Sequence, residues 1–465
     1  LRADGTICAY HARVDTPAAP YRGYTPNTLD FFSRYLCGPY RHDNLKIDGY
    51  GYFSTGAEIG AYRGFGGPDA TLITETMLNR AAAKLQIDAL EIRKRNWMRE
   101  NEEFDKQFPN APWRNMSDHF AMEETMAKAL ETAGSPPTPR PGKKVGRGFA
   151  NAIPCFCIGN TPGYKGTAAD LVMFIDGSLL VRLGYPEAGQ GLSGAAIEFA
   201  SECMGIPKDR INLILCDSHL TPKAGSLGFS QATVNAGNAI VAAAENLKKN
   251  LAELAREYLH SSDPGIHFDH GDFYDNSGNL VLRWNEISDF CYYEGKNLTA
   301  SGWTVPPDPN DRHGVTPIAS VADVEVDEET GEVRLLQLVN CHDSGRVMHY
   351  DSARGQMIGG AVMCAGNTMM EEYIIEHGKS KTPSFAEYLI PTSMDVPDQL
   401  KAAFVENPGH DCPLGAKGMG EHSLYATGPA IANAIFDAVG VAMNKTPYTP
   451  EQMLRAMQRI GKEQK

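Results

Sequence analysis

One glycine-rich stretch of the chain ends in a carboxylate. Residues 415–421 read Gly-Ala-Lys-Gly-Met-Gly-Glu, and the apolar run from Pro429 to Val439 that follows predicts a helix. Glycines at this density indicate backbone that needs a positive φ or a close approach to a neighbour. A rigid loop that enters a helix would hold Glu421 in place, so this carboxylate is a candidate general base. The stretch alone also fits an ordinary turn with a carboxylate near a helix N-terminus.

Three further glycine-dense loops precede helical patterns. Residues 61–68 embed Arg63 in glycine, residues 187–191 place Gln190 between two glycines, and residues 224–231 open the longest helical pattern of the chain. Bare backbone N–H groups and a guanidinium can hold an anion, and an amide side chain offers both a donor and an acceptor. Each loop alone fits a flexible connection, whereas four such loops together predict one large ligand held from several sides.

Composition excludes some classes of protein. The 465 residues are 42% hydrophobic and 22% charged, which is typical of globular chains with two or three domains. The net charge of −14 and the lack of a basic tract disfavour nucleic-acid binding. No apolar run has the length of a membrane span. The ten cysteines contain no Cys-x-x-Cys pair, so we predict reduced thiols in a cytoplasmic protein.

The pattern along the chain predicts two domains. Residues 1–62 look strand-like, and the turn at residues 3–7 predicts a hairpin whose preceding strand belongs to a part missing from this chain. The proline-rich residues 135–145 predict a linker between a first domain, residues 1–134, and a second, residues 146–465.

Periodicity places the elements around these loops. Helices are predicted over residues 70–83, 88–98, 193–204, 354–373 and 450–460, and the helical pattern that residues 224–231 open extends to about residue 259. Strands are predicted over residues 146–185, around a turn at residues 176–177, and over residues 211–216. Residues 260–312 are predicted to be irregular, and residues 319–327 and 333–340 to form a hairpin whose acidic face is a solvated edge. The pair His342-Asp343 lacks the partners and spacing of a metal site or a catalytic triad.

Four motifs, in this order, carry a resemblance to a known family. They are Arg63-Gly64-Phe65-Gly66-Gly67-Pro68, Glu187-x-Gly189-Gln190-Gly191, Gly225-Ser226-x-Gly228-x-Ser230 and Gly415-x-Lys417-Gly418-x-Gly420-Glu421. The chain resembles the C-terminal portion of the molybdenum-binding subunit of the xanthine dehydrogenase/aldehyde oxidase family. The resemblance implies an α+β fold with two molybdopterin-binding domains of mixed sheets packed with helices, the first of them incomplete. It also implies a partner chain that carries the missing N-terminal part.

The chemistry that the resemblance implies is hydroxylation of an aromatic N-heterocycle or an aldehyde with oxygen from water. The cofactor would be a molybdopterin, in the cytosine dinucleotide form, whose metal is held by the pterin and carries oxo, sulfido (or selenido) and hydroxyl ligands. Glu421 would take the proton of the metal-bound hydroxyl. Electrons would pass to partner subunits that hold a 2Fe-2S cluster and FAD, since this chain has no ferredoxin-type cysteine pattern.

The resemblance also implies site residues. Those matched to cofactor binding are Arg63, Gly64, Phe65, Ala188, Gly189, Gln190, Gly228, Phe229, Ser230 and Gly420. Phe65 would also flank the substrate, together with Phe31, which stands where purine-oxidising members carry an arginine. Cys364 stands where the family often has a glutamine, and His422-Ser423 replace the usual Pro-Pro. His422 could tune Glu421 or be a plain replacement at a loop position.

Other functions remain open at this level. Phe31 argues mildly against a purine or xanthine dehydrogenase proper, but a single insertion or deletion would undo that argument. A non-catalytic structural subunit is a second alternative, which the presence of both Glu421 and Gln190 disfavours. Reductive dehydroxylation of an aromatic thioester on the same scaffold is a third.

Overall fold

The computed structural model describes residues 1–57, 60–98, 113–115, 119–156, 166–304 and 313–463, which form ten α-helices and eighteen β-strands. The helices are α1 (Thr25–Tyr35), α2 (Gly67–Leu85), α3 (Ala89–Asn96), α4 (Met122–Ala133), α5 (Leu192–Met204), α6 (Ala232–Tyr258), α7 (Trp284–Tyr293), α8 (Tyr350–Met369), α9 (Ser423–Val439) and α10 (Pro450–Glu463). The strands are β1 (Tyr10–Ala18), β2 (Leu45–Phe53), β3 (Trp113–Asn115), β4 (Lys144–Ala152), β5 (Cys155–Phe156), β6 (Thr167–Met173), β7 (Leu179–Leu183), β8 (Ile211–Leu215), β9 (His267–Asp269), β10 (Asp272–Tyr274), β11 (Leu280–Leu282), β12 (Thr299–Thr304), β13 (His313–Val315), β14 (Ile318–Val326), β15 (Val333–Asp343), β16 (Ile375–Glu376), β17 (Lys379–Ser380) and β18 (Gln399–Val405).

A four-stranded mixed sheet in the order β18-β15-β14-β4 is the centre of the larger hydrophobic core. Helix α9 packs on β4 and β14, while α4 packs on β14, β15 and β18. Gly148 allows α9 to approach closely, because a Cβ at this position would lie 2.1 Å from the backbone nitrogen of Ala434. The preceding strand residue, Arg147, donates to the carbonyl of Gly134 at the C-terminal end of α4. Because side chains alternate along a strand, the two helices cover opposite faces of the sheet.

A second four-stranded sheet, β12-β6-β7-β8, has its own hydrophobic core against α5 and α6. Strands β7 and β8 are parallel, and the crossover between them contains α5. Near the start of the chain, β1 and β2 form a parallel pair beneath α1. Helix α2 joins this part to the rest through its packing against α9.

Two helices lie in segments that were predicted to lack them. Helix α1 lies within the region predicted to be strand-like, where Pro26 stands in the first helical turn, a position its fixed φ favours. Helix α7 lies within residues 260–312, which also contain three short strands and β12. Its start carries a capping contact, in which Glu286 accepts a hydrogen bond from the backbone nitrogen of Arg283. The first prediction is wrong because Pro26 also fits a turn, and the second because the turn-forming residues around α7 hide its short helical pattern.

The prediction of a solvated acidic edge is wrong. All nine residues of β14 are buried, because the strand lies inside the sheet and both faces are covered. Asp323 pairs with Arg147, whose Nε lies 2.7 Å from Oδ1, and Glu325 pairs with Arg140 from the predicted linker. Neighbouring arginines compensate the buried carboxylates, which an alternating sequence pattern cannot reveal.

The remaining predicted helices and the β14–β15 hairpin are confirmed within a few residues, except that α9 begins at Ser423 and contains Pro429 in its interior. The turn at residues 3–7 is present, with the Arg2 nitrogen donating to the Thr6 carbonyl at 2.9 Å, but no strand flanks it within residues 1–9. The division into domains at residues 135–145 stays a prediction. No helix of the described residues is long and apolar enough to cross a membrane.

Candidate active site

The four glycine-rich loops meet around one cavity of about 480 Å³. The sequence predicted that these loops surround a shared ligand, and their convergence supports this arrangement. The lining residues are Arg63, Ala188, Gly189, Gln190, Leu227, Gly228, Phe229, Ser230, Ala232, Thr233, Gln356, Met419, Gly420 and Glu421. Of the residues predicted to bind a cofactor, only Gly64 and Phe65 do not line it, and both lie directly beside it through contacts with Glu421 and Phe229.

Left-handed backbone at non-glycine residues shapes two of the loops. Phe65 has a φ of +55°, and Phe229 and Ser230 have φ values of +63° and +50°. Such conformations cost free energy and persist only where the surroundings hold them. Tyr425 of α9 contributes to this constraint, because its hydroxyl donates to the Gly64 carbonyl at 2.8 Å. Three of the nine non-glycine residues with positive φ in the described part of the chain therefore lie at or beside the cavity, and such strain is often found at functional sites.

The Glu421 carboxylate is held by two of the other loops. Its Oε2 accepts from the Ser230 hydroxyl at 3.1 Å, and its Oε1 lies 3.4 Å from the Gly64 nitrogen. The Glu421 backbone nitrogen also lies 3.0 Å from Ser230 Oγ. Burial raises the pKa of Glu421, although these hydrogen bonds and the nearby Arg63 act in the opposite direction. The arrangement is that of a fixed carboxylate with increased basicity at the wall of a cavity.

Arg63 connects the first glycine loop to the fourth and to α8. Its Nε donates to the Gly420 carbonyl at 2.6 Å, and its Nη2 donates to Gln356 Oε1 at 2.8 Å. Burial lowers the pKa of the guanidinium, and the charge of Glu421 partly offsets this effect. A partly buried cation at the cavity wall can bind an anionic ligand.

Gln190 lies at the cavity with its amide turned onto its own loop. Its Oε1 accepts from the Ala188 nitrogen at 2.6 Å, and its Nε2 donates to the Pro186 carbonyl at 2.9 Å. Glu187 organises the same loop by accepting from the backbone nitrogens of Gly189 and Gly191. Glu187 also accepts a hydrogen bond from the backbone nitrogen of Ser193 in the first turn of α5. A carboxylate near a helix N-terminus is favoured by the helix dipole.

Three phenylalanines form an aromatic wall next to the cavity. The ring of Phe31 lies 5.7 Å from that of Phe65 and 4.6 Å from that of Phe229, between centroids, and the Phe65 and Phe229 rings are 5.0 Å apart. Phe31 is 8% exposed and stands behind the other two rings. The structure thus brings the two predicted substrate residues into contact with a predicted cofactor residue.

Gln356 is a cavity residue that the sequence analysis missed. It lies on α8, whose glutamine position was assigned to Cys364. Cys364 is buried instead between α8 and α9, where its Sγ lies 3.2 Å from the Leu424 carbonyl. The only available signal was that Gln356 is a polar side chain directly before the small and apolar run at residues 357–366.

A second, smaller cavity of about 70 Å³ adjoins the first and shares Gln190, Gln356 and Met419 with it. Ser344 lines it, and the Ser344 hydroxyl is buried without a hydrogen-bond partner among the described residues. Lys417 lines it as well, with its ammonium 2.8 and 2.9 Å from the two oxygens of Asp343 in a fully buried ion pair. This pair anchors the loop that carries Glu421.

The segment His342-Asp343 is structural in this arrangement. Asp343 pairs with Lys417, and His342 contacts His422 rather than a metal ligand set. Across the described ranges, no group of three or more histidine, cysteine, aspartate or glutamate side chains is arranged to hold a metal ion. The sequence also contains a closely spaced pair, Cys155 and Cys157, whose spacing suits neither zinc nor an iron–sulfur cluster, and Cys157 lies outside the described residues.

Comparison with known families gives two matches to molybdopterin cofactor-binding domains, over residues 1–97 and residues 116–397. A probable xanthine dehydrogenase subunit of Bacillus subtilis is 29% identical over 99% of this chain and 61% of its own length. The gamma subunit of a 6-hydroxypseudooxynicotine dehydrogenase complex of Paenarthrobacter nicotinovorans is 28% identical over 99% of this chain and 59% of its own length.

Among solved structures, quinoline 2-oxidoreductase from Pseudomonas putida 86 matches with a TM-score of 0.85 and 23% identity. The match covers 98% of this chain and 61% of that protein, and it establishes a shared fold. The chain therefore spans about three-fifths of the length of these relatives.

Proposed function

Because the chain belongs to the family of molybdopterin cofactor-binding domains, we propose that it is the catalytic molybdenum-binding part of a hydroxylase. The reaction would be oxidation of an aromatic N-heterocycle or an aldehyde with oxygen taken from water. The single observation that carries this proposal is the Glu421 carboxylate, which lies at the wall of the shared cavity with a raised pKa. A general base needs such a placement and such a protonation equilibrium.

The residues around the two cavities fit a molybdopterin. The Arg63 guanidinium suits the anionic parts of the group, and the buried Ser344 hydroxyl offers a hydrogen bond that no described protein atom satisfies. Gly189 and Gly420 leave space, because a Cβ at Gly189 would meet no atom within 4 Å and one at Gly420 only Ser230 Oγ at 3.7 Å. When bound, the group supplies the redox chemistry that transfers oxygen and accepts electrons.

Protein side chains would supply positioning and proton transfer. Glu421 would accept the proton of the attacking oxygen nucleophile at one carboxylate oxygen, while Ser230 and Gly64 hold that carboxylate in one orientation. Arg63 and Gln356 would hold the cofactor against α8, and the loops containing Ala188, Gly228 and Phe229 would line it. The positions of these residues at the cavity and the family resemblance support these proposed roles.

The aromatic wall supports a flat substrate. Phe65 and Phe229 offer ring faces near the cavity, and Phe31 limits their movement from behind. The relative named for 6-hydroxypseudooxynicotine supports an N-heterocyclic compound, whereas the probable xanthine dehydrogenase supports a purine as the second candidate. We favour the former, since Phe31 provides no cation for a purine oxygen.

Electrons taken from the substrate require an acceptor. We propose partner subunits that carry a 2Fe-2S cluster and FAD, and a further partner that contributes the part of the relatives' length that this chain does not span. The relative described as the gamma component of a complex supports such an assembly. We also propose the cytosine dinucleotide form of the cofactor.

The Glu421→Gln variant of the purified complex tests the function. We expect molybdenum content to match that of the wild type, while substrate-dependent reduction of an acceptor dye falls by roughly 10²–10⁴-fold, because glutamine cannot accept the proton. The assay would be run with N-heterocycles, aldehydes and purines as candidate substrates of the wild type and the variant. A variant that retains its activity would contradict the role of Glu421, and an active preparation without molybdenum would contradict the whole assignment.

A further inference from the structure

Two buried histidines lie behind Glu421. His422 follows Glu421 directly in the chain, and His342 lies near the end of β15. Both histidines are fully buried, with 0% of their surface exposed. His342 Nε2 and His422 Nδ1 are 2.6 Å apart, and His422 Nε2 lies 3.0 Å from the Cys155 carbonyl. The family pattern has a proline at position 422, so the histidine pair is a departure of this chain from that pattern.

The hydrogen bonds determine the tautomer of each ring. A carbonyl oxygen only accepts, so His422 Nε2 carries the hydrogen and, in a neutral ring, His422 Nδ1 is a bare acceptor. His342 must then donate through Nε2, which leaves its Nδ1 without a hydrogen. His342 Nδ1 is indeed buried and has no partner among the described residues. One consistent arrangement results, with both rings uncharged.

The surroundings keep the pair neutral. Burial lowers the pKa of His422 to about 3, and burial together with His422 and the Lys417 ammonium lowers the pKa of His342 well below its ordinary value. The sign is that of a buried base, since desolvation disfavours the cation. Both rings are therefore neutral near neutral pH, and the pair adds no positive charge to that of Arg63 beside Glu421.

The pair completes a set of contacts that encloses Glu421. On one side, the Gly64 nitrogen faces Glu421 Oε1, and the Gly64 carbonyl accepts from Tyr425. The Tyr425 ring lies 5.1 Å from that of Tyr35, whose hydroxyl accepts from the Cys155 nitrogen at 3.1 Å. The Cys155 carbonyl then accepts from His422, next to Glu421 in the chain.

We propose that His342 and His422 are positioning residues, which fix the backbone of Glu421 between β15 and β5 through an uncharged hydrogen-bonded link. The pair determines where the carboxylate lies and leaves its basicity intact, because a cationic histidine at position 422 would favour the ionised carboxylate and lower its pKa. The proposal rests on the assigned role of Glu421 as the base. Neither ring exchanges protons during turnover.

The His342→Leu variant tests the link. It removes the donor to His422 Nδ1 while keeping an apolar side chain in the core, whereas His342→Gln keeps an N–H donor at a similar reach. We expect His342→Leu to lower kcat per bound molybdenum by about 100-fold, the effect of a base displaced by an ångström, with KM little changed. His342→Gln should restore most of this loss, and the exposed His119→Leu should behave as wild type.

Two readouts separate positioning from a general structural role. A crystal structure of His342→Leu should show the Glu421 carboxylate displaced from Ser230 Oγ and Gly64 N. The acid limb of kcat/KM should also move to higher pH, because the displaced carboxylate loses the hydrogen bonds from Ser230 and Gly64 that lower its pKa. The proposal would be overturned if His342→Leu lowered the thermal stability but left kcat, the acid limb of kcat/KM and the position of the Glu421 carboxylate unchanged.

Further measurements keep the result decisive. Nitrogen NMR of labelled histidines in the wild type should show both rings neutral, with the hydrogen on Nε2, between pH 5 and pH 9. A cationic ring in that range would overturn the proposal. If His342→Leu does not fold, His422→Asn retains an acceptor for His342 but loses the Cys155 bond and should show the same loss of kcat. An active Glu421→Gln would refute the proposed function, whereas an inactive Glu421→Gln with a fully active His342→Leu would refute only this inference.

Discussion

Glu421 combines two demands that oppose each other. Burial at the cavity wall raises its pKa, while the hydrogen bonds from Gly64 and Ser230 and the charge of Arg63 favour its ionised form. A carboxylate in full contact with water would be oriented less firmly and would be a weaker base. The net effect is a carboxylate with increased affinity for a proton, which suits a general base.

This balance predicts the pH dependence of turnover. Since Glu421 must be deprotonated to act and its pKa is raised above 4.5, kcat/KM should be lost as the pH falls through a value above 4.5. The measurement is a pH profile of kcat/KM at saturating acceptor dye, with a substrate that does not titrate in the same range. An acid limb at or below 4.5 would contradict the prediction.

The same pKa has a consequence for stability with the opposite sign. A carboxyl whose folded pKa is raised stabilises the fold while protonated, and this contribution is lost as the pH rises through that pKa. The neutral Glu421→Gln variant should therefore unfold at the same temperature as the wild type or higher at pH 8. A marked decrease of its unfolding temperature would show that the ionised carboxylate stabilises the loop.

Gln356 should be required for cofactor retention. The Gln356→Leu variant leaves the Nη2 group of the partly buried Arg63 without its acceptor at 2.8 Å, so the guanidinium is held less firmly against α8. We expect molybdenum per chain to fall severalfold in this variant. Metal analysis of the purified protein is the measurement, with the exposed Gln458→Leu on α10 as the control. Equal metal content in both variants would contradict this role.

At the scale of elements, helices and sheets bring the loops together. Helix α9 begins directly after the loop that carries Glu421 and packs on the central sheet through β4 and β14. The buried Lys417–Asp343 pair ties the same loop to the end of β15. Removal of one partner of a buried ion pair is strongly destabilising, so this contact fixes the loop relative to the sheet.

The approach of α9 to β4 should tolerate no side chain at Gly148. In Gly148→Ala, the added Cβ would lie 2.1 Å from the Ala434 nitrogen and 2.2 Å from the Ala430 carbonyl oxygen, and backbone cannot move aside easily. Overpacking of this kind costs at least about 1–3 kcal/mol, which should appear as a lowered denaturant midpoint.

The matched control for this prediction is Gly359→Ala. Gly359 is an exposed residue of α8, where an added Cβ meets no atom within 4 Å. Alanine is favoured over glycine in a helix by up to about 1 kcal/mol, so this variant should be as stable as the wild type or more so. Equal midpoints for the two variants would show that α9 can shift away from β4.

At the scale of the whole molecule, the cavity lies where the two hydrophobic cores meet. The loops before α5 and α6 belong to elements of one core, the loop before α9 belongs to an element of the other, and all three line the cavity. The chain spans about three-fifths of its relatives' length, and the partner subunits proposed above would supply the remainder.

The composition of the native assembly is therefore a prediction. Affinity purification of this chain from its own cells should yield about one molybdenum per chain together with the absorption of flavin and of a 2Fe-2S cluster, because substrate oxidation delivers electrons that must leave the site. Metal analysis and absorption spectroscopy measure these quantities. A molybdenum-loaded chain that reduces no acceptor in the presence of every co-purified partner would favour a structural role instead.

The sequence by itself determined the family, the four loops and the position of most helices. Glycine-rich motifs are local, so residues such as Glu421 and Gln190 were identified as candidate site residues from their neighbours in the sequence, without tertiary information. Periodicity likewise located α6 and the β14–β15 hairpin. The predictions that were wrong concern segments whose local sequence fits two structures. At Pro26, for example, a proline fits both a turn and the first turn of a helix.

Only the tertiary structure decided which side chains face the cavity and which are paired. Gln356 was found through its contact with Arg63, 293 positions away in the chain. Asp323 looked solvent-exposed until the structure placed Arg147 beside it, and the partner of His422 is 80 residues distant. Burial and long-range pairing depend on how separate elements pack, and a local pattern of residue types does not contain that information.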